Sequence, residues 1–187
     1  RSRQHLQCVD RDSGAVIGKS RSDSRKEFSP IPPMLFEMIV YSETKSRFRE
    51  DVFSNNIENV ILNLFKTKMK RSIGKSEVDS WKNSMQFMDR VLEDAEIPDD
   101  SKVGIEYNIP LSAKRIDFLL TGKNAQDQDT VVIVELKQWQ AVEATTKDAV
   151  VRTAMGGSLI ETMHPSYQAW TYAALLHDYN ETIRDEN

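Results

Sequence analysis

The chain has 187 residues, of which 39% are hydrophobic, and a formal net charge of -4 at pH 7. This length and apolar content predict one domain with its own core and room for a short appendage. The lone Cys8 excludes an intrachain disulfide and a thiolate zinc site, and no apolar run is as long as a membrane span. No secretory signal opens the sequence, which predicts a cytoplasmic protein.

Residues 1–37 differ in composition from the rest of the chain. They are rich in Ser and Arg, show no sustained periodicity and end in the linker-like stretch Ser29-Pro-Ile-Pro-Pro33. We expect a disordered, linker-like segment here, or sequence that is not part of the native protein, with Met38 as the natural start. The folded domain is then expected over residues 38–187.

Two helices are predicted next. From Ser46 to about Lys70, apolar residues recur every three or four positions, which indicates one amphipathic helix. Glu58 lies at the flank of its apolar face, and Glu50 would project along that face if the helix begins early. A second helix is predicted from Ser76, its candidate N-cap, to about residue 93, with a Trp and Met stripe that indicates core.

Three strands follow the helices. Residues 104–110 alternate between apolar and polar, which predicts a half-exposed strand. Glu106 is expected to face solvent, with an approach to the site as an extra acidic group as the alternative. Residues 114–120 and 130–139 are apolar and β-branched, and a polar connection with Gly122 joins them. This pattern predicts a hairpin. A polar connection is expected over residues 140–148.

An extra hairpin and a last helix complete the prediction. Two β-prone runs, 149–153 and 158–162, flank Gly156-Gly157, as is typical of a hairpin. The helix is predicted over residues 164–176, with Pro165 in its first turn. Gln168 and Tyr172 are four residues apart, so they share a helix face.

Charged residues in the two hairpin strands point to a chemistry. Asp117 interrupts an apolar run, and Glu135 and Lys137 are two apart, so they project from one face. A carboxylate in a buried sheet is costly without a cation or a hydrogen-bond partner. Two carboxylates and an ammonium that converge there would bind a divalent cation, Mg2+ or Mn2+, together with an anion. Phosphodiester hydrolysis needs this set of charges.

A plainer interpretation stays open. A Glu and a Lys on one strand face commonly form a solvated ion pair, while a helix tyrosine is ordinary core. The modest negative charge of the chain also argues against strong binding of nucleic acid by charge alone. A nucleic-acid-binding module that does not cut, or a structural interaction domain, would fit the same residues.

The order of these residues resembles a known signature. Ile116-Asp117 followed by Glu135-Leu136-Lys137 resembles the PD-(D/E)xK nuclease motif, with Ile116 in place of the proline. Gln168 and Tyr172 match the QxxxY motif of the RecB-like branch. The resemblance implies an α/β fold with a restriction-endonuclease-like core of order αβββα. The last strand of that core is expected to be missing from this fragment of a longer protein.

The resemblance also implies roles for the residues. Asp117, Glu135 and the carbonyl of Leu136 would bind Mg2+ or Mn2+, and Lys137 would stabilise the transition state or orient water. Gln168 and Tyr172 would shape the site. Nucleases of this class often carry a further glutamate on the first helix, a role that Glu58 or Glu50 would fill here.

A closer resemblance covers residues 38–187. The run from Met38-Ile-Val-Tyr41 through Arg115-Ile-Asp-Phe118 to Tyr167-Gln-Ala-Trp170 is similar to one bacterial family, in which a nuclease-like domain precedes a helicase-type P-loop ATPase. It implies a nucleic-acid substrate, expected to be DNA, and a C-terminal ATPase domain as partner. It further implies a role in DNA processing or phage defence.

Overall fold

The computed structural model describes residues 5–8, 38–70, 72–110 and 112–179. Four helices and eight strands lie in these ranges. In chain order they are β1 (His5–Cys8), β2 (Ile39–Thr44), α1 (Lys45–Phe53), α2 (Ile57–Met69), α3 (Lys75–Val91), β3 (Lys102–Asn108), β4 (Arg115–Lys123), β5 (Asp129–Lys137), β6 (Val142–Ala144), β7 (Val150–Met155), β8 (Ser158–Met163) and α4 (Pro165–Tyr179).

The strands form two antiparallel sheets. A five-stranded sheet has the order β1-β5-β4-β3-β2, and a three-stranded sheet has the order β6-β7-β8. The hairpin predicted for the Asp117 and Glu135 strands is confirmed as β4 and β5, and the extra hairpin around Gly156 is confirmed as β7 and β8. The α/β class is therefore confirmed.

Helices cover both faces of the larger sheet. Phe118 and Val134 belong to a core cluster with α1, α2 and α3, whereas Leu119 and Ile133 belong to a second cluster with α4. Neighbouring strand residues point to opposite faces, so the two clusters lie on opposite sides of the sheet. Residues of β4 and β5 that face α4 can therefore meet groups carried by that helix.

The single long helix predicted from residue 46 to 70 was wrong, because α1 and α2 are separate. α1 ends at Phe53, and Asn55 adopts a left-handed backbone with φ of 52°. The Ser54 hydroxyl donates to the Asp51 carbonyl, which satisfies a group that the helix end leaves open. Asn tolerates the left-handed region better than most residues, so Ser54-Asn-Asn56 makes a turn between two helices of similar pattern.

Within residues 38–187, two strands were not predicted from the sequence. β2 pairs with β3 at one edge of the larger sheet, although residues 39–44 were not assigned. β6 lies within residues 140–148, which were expected to be only a polar connection. Its three residues are all exposed, so hydrophobic alternation gave no signal.

The prediction for residues 1–37 falls mostly outside the described residues. Only His5–Cys8 is described there, as a strand whose backbone pairs with residues 134–137 of β5. The expectation of a missing final strand concerns residues after 179, which also lie outside the described ranges. Among the described helices, none is long and apolar enough to cross a membrane.

Candidate functional site

A cleft of about 610 Å³ opens at one end of the larger sheet. It is lined where β3 ends, where β4 begins and where β5 ends, by residues that include Asn108, Arg115, Asp117, Glu135 and Lys137. The end of α2 contributes Phe65 and Met69, and α4 contributes Gln168 and Tyr172. The cleft therefore gathers residues from the sheet and from the helices on both of its faces.

Asp117 lies where β4 and β5 separate. The paired positions between these strands end at Phe118 and Val134, so Asp117 and Glu135 form the first opposed pair beyond them. The Asp117 Oδ2 atom accepts a hydrogen bond of 3.0 Å from the Leu136 N–H. A side-chain carboxylate thus satisfies a backbone donor of the neighbouring strand and is fixed at the cleft wall.

Glu135 is the centre of the site. Only 2% of its surface is exposed, and its Oε1 atom accepts from the Lys137 Nζ at 2.6 Å and from the Gln168 Nε2 at 2.6 Å. The same Gln168 nitrogen donates to the Tyr172 hydroxyl at 2.7 Å. The structure therefore brings Asp117, Glu135, Lys137, Gln168 and Tyr172 together.

The two carboxyl groups hold protons more tightly than free ones. Burial, and then the adjacent Asp117 carboxylate, raise the pKa of Glu135 to about 7. Burial also raises the pKa of Asp117, and the Leu136 N–H and Lys137 only partly offset this effect. Two adjacent acids whose negative charges repel each other favour a proton or a cation between them.

The donor set fits a divalent cation. The Glu135 Oε2 atom is buried, and no hydrogen-bond donor of the described residues reaches it, while buried carboxylate oxygens normally have a partner. Two adjacent carboxylates are the hard oxygen ligands that Mg2+ and Mn2+ prefer. Asp117 and Glu135 would be the carboxylate ligands. In the described ranges no cluster of three or more His, Cys, Asp or Glu residues suited to a metal occurs.

Leu136 is placed next to Asp117 by its backbone N–H. The expected role of its carbonyl as a further metal ligand stays a prediction. The carbonyl belongs to the peptide between Leu136 and Lys137, so it lies at the same end of β5 as the two carboxylates.

The structure does not bring the two helix glutamates to the cleft. Glu58 pairs with Lys82 of α3 at 3.2 Å, and Glu50 is exposed and pairs with Arg47 at 3.2 Å. Neither residue lines the cleft. Glu58 lies in the first turn of α2, whereas Phe65, which does line the cleft, lies two turns later on the same helix.

The expectation that Glu106 faces solvent was wrong. Its exposed fraction is 3%, and its Oε1 atom accepts from the Trp81 Nε1 at 2.7 Å. Its backbone has a φ of 58°, which is uncommon for a residue with a side chain. Ile105 and Tyr107 fall in different core clusters although two residues apart in a strand usually share a face, so the alternation is interrupted at Glu106.

Arg115 is a cleft residue that the sequence interpretation passed over. It forms ion pairs with Glu106 and, at 3.1 Å, with Glu77 of α3. It precedes Asp117 by two residues on the same strand, and this spacing was the available signal. Motif matching drew attention to Asp117 and away from its neighbours.

Comparisons of this chain with protein-family models, with curated proteins and with solved structures find no match.

Proposed function

We propose that this domain hydrolyses phosphodiester bonds of a nucleic acid, with DNA as the expected substrate, and that it does so with Mg2+ or Mn2+. The observation that carries the proposal is the meeting of the buried Glu135 carboxylate, the half-buried Asp117 carboxylate and the Lys137 ammonium in one open cleft. We further propose that α3, β3, β4, β5 and α4 form a restriction-endonuclease-like core. The order of these elements along the chain supports that assignment, with β6, β7 and β8 inserted between β5 and α4.

In this proposal each residue has a separate task. Asp117 and Glu135 would hold the cation, which would polarise a phosphoryl oxygen and lower the pKa of water. Lys137 has three N–H donors, and Glu135 accepts from it, which leaves donors for a phosphoryl oxygen that gains negative charge. Gln168 fixes the Glu135 carboxylate by a hydrogen bond, and Tyr172 fixes Gln168.

The test is a cleavage assay with labelled single-stranded and double-stranded DNA and RNA, with Mg2+, Mn2+ or EDTA. We expect metal-dependent cleavage that Asp117→Asn abolishes and that Lys137→Gln lowers about a hundredfold or more. Lys123→Gln is the matched control, because Lys123 is an exposed lysine at the far end of β4, paired with Asp127. If none of these substrates is cut with either metal, the proposal fails.

A second candidate is a module that binds nucleic acid without cutting it. The absence of a third acidic or histidine ligand beside Asp117 and Glu135, within the described residues, favours this candidate. Binding of DNA without cleavage would support it. If the protein neither binds nor cuts, a structural interaction domain is the remaining interpretation.

A further inference from the structure

Arg115 gives the cleft a further cation, beside Lys137 and Lys114. Arg115 lies at the beginning of β4 and Lys137 at the end of β5, and both line the cleft, each two residues from one of the two carboxylates. The guanidinium is close enough to Asp117 to lower the pKa of that carboxyl. A site that only bound a metal would not require the Arg115 guanidinium.

The guanidinium is held from two directions. Its Nε side pairs with Glu106 of β3, and its Nη1 pairs with Glu77 of α3 at 3.1 Å. An arginine carries five N–H donors in a rigid plane, so donors remain on the side that neither glutamate occupies. The Arg115 side chain is 29% exposed, and it lines the cleft.

The position of Glu106 beside Arg115 is energetically unfavourable for a glutamate. Its carboxylate is buried, its backbone adopts the left-handed conformation, and the Trp81 Nε1 donates a hydrogen bond to it. Left-handed backbone is unfavourable for a residue with a side chain, and an apolar residue would fill a buried position at a lower cost in free energy. Strain of this kind gathers at functional sites, where the surrounding structure maintains it.

We propose that Arg115 binds a phosphate of the substrate adjacent to the one hydrolysed, and that Glu106 is the positioning residue that holds Arg115 for it. The inference rests on the proposed function and deepens it, because it names the ligand as a strand with at least two consecutive phosphodiesters. Arg115 and Asp117 are two strand residues apart, about 6.6 Å between Cα atoms. That separation is comparable with one nucleotide step along an extended strand.

The first experiment measures binding of a labelled oligothymidylate as a function of salt, in EDTA so that no strand is cut. Each phosphate contact contributes about -0.7 to the slope of log affinity against log salt for a single strand. We expect Arg115→Gln to reduce the steepness by about 0.7 and the affinity about tenfold. Lys123→Gln, with the same charge change at the other end of β4, should leave the slope unchanged.

The second experiment tests whether Glu106 acts through Arg115. Glu106→Gln should weaken oligothymidylate binding in the wild-type chain and have no effect once Arg115→Gln is present, which a double-mutant cycle measures. Equal losses in both backgrounds would show that Glu106 does not act through Arg115. Arg115→Lys keeps the charge but not the planar fork, so it should keep the salt slope and lose affinity. It also replaces Arg115→Gln if that variant does not fold.

Competition separates the ligand classes. A thymidine dinucleotide with two phosphates should displace the oligothymidylate better than a mononucleotide does, and Arg115→Gln should remove that difference. If Arg115→Gln leaves the salt slope unchanged while the wild-type protein cleaves nucleic acid, this inference is refuted and the proposed function stands. Binding that depends on Arg115, without any cleavage, would instead refute hydrolysis and keep the phosphate contact.

Discussion

Replacement of Glu135 by glutamine should stabilise the protein above neutral pH. The pKa of Glu135 is raised from 4.5 to about 7 by burial and by Asp117. Between these two pKa values, residue 135 has lost its carboxyl proton in the unfolded chain but still binds it in the folded chain. The free energy of unfolding therefore falls as pH rises from about 4.5 to 7, and the full penalty applies above pH 7.

The size of the effect follows from the two pKa values. At about 1.4 kcal/mol for each tenfold change in proton affinity, the penalty is about 3 kcal/mol. Glutamine is never ionised, so Glu135→Gln removes it. The amide oxygen can still accept from Lys137 and Gln168, and the amide nitrogen gives Asp117 a donor. Because the two acids titrate as a pair, the difference includes the response of Asp117.

Urea unfolding of wild type and Glu135→Gln between pH 4.5 and 8 measures this difference. We expect the two free energies of unfolding to be similar at pH 4.5 and the variant to be more stable by about 3 kcal/mol at pH 8. Glu43→Gln, at an exposed position of β2, is the control and should show no such divergence. A difference that does not change with pH would refute the reasoning.

Metal binding should largely cancel the stability difference between wild type and Glu135→Gln. A cation that binds only the folded state adds about 2.7 kcal/mol when its concentration is a hundred times its dissociation constant. Mn2+ at pH 8 should therefore raise the unfolding temperature of wild type and have little effect on Glu135→Gln. If Mn2+ raises both temperatures equally, it binds elsewhere in the protein.

Three further outcomes are expected. In urea unfolding, Gln168→Ala should lower the free energy of unfolding by about 1 kcal/mol, because Glu135 and Tyr172 lose a hydrogen-bond donor. The same variant should reduce the shift in unfolding temperature that Mn2+ causes. Phe118→Ala should lower the free energy of unfolding by about 3–5 kcal/mol in the same assay, because the ring is fully buried and its centroid lies 5.7 Å from that of Phe48. Leu159→Ala, at an exposed site, is the control and should change the free energy of unfolding by less than about 0.5 kcal/mol. Lys70→Gly should raise the unfolding temperature and stabilise by about 0.5–1 kcal/mol, because Lys70 ends α2 with a φ of 51°, while Lys66→Gly within α2 should destabilise.

Sequence periodicity predicted which site residues lie together on the same strand or helix. Glu135 and Lys137 are two apart on a strand, and Gln168 and Tyr172 are four apart on a helix, so periodicity alone placed each pair on one face. Asp117 stood out because a charge interrupts an apolar run. That the two pairs meet depends on α4 packing against β5, and only the resemblance to a known signature suggested it.

The same rules failed where the backbone departs from regular geometry. Residues 46–70 carry a continuous apolar period, so the left-handed Asn55 that separates α1 from α2 had only the weak signal of Ser-Asn-Asn. The exposed strand β6 had no apolar face to detect. In both cases hydrophobic pattern describes burial, and these features are set by backbone conformation and pairing instead.

Glu106 shows why the rest of the cleft could not be predicted. Its alternating neighbours indicate an exposed strand residue, yet Trp81, 25 residues earlier in the chain, donates to it, and Arg115 of the next strand pairs with it. Two partners distant in sequence maintain a conformation that local propensity disfavours. If the conformation serves only to bury Glu106 against Trp81, replacing Arg115 should leave nucleic-acid binding unchanged. If it serves to hold Arg115, the salt dependence of binding must weaken when that arginine is removed, because the cleft then loses one phosphate contact.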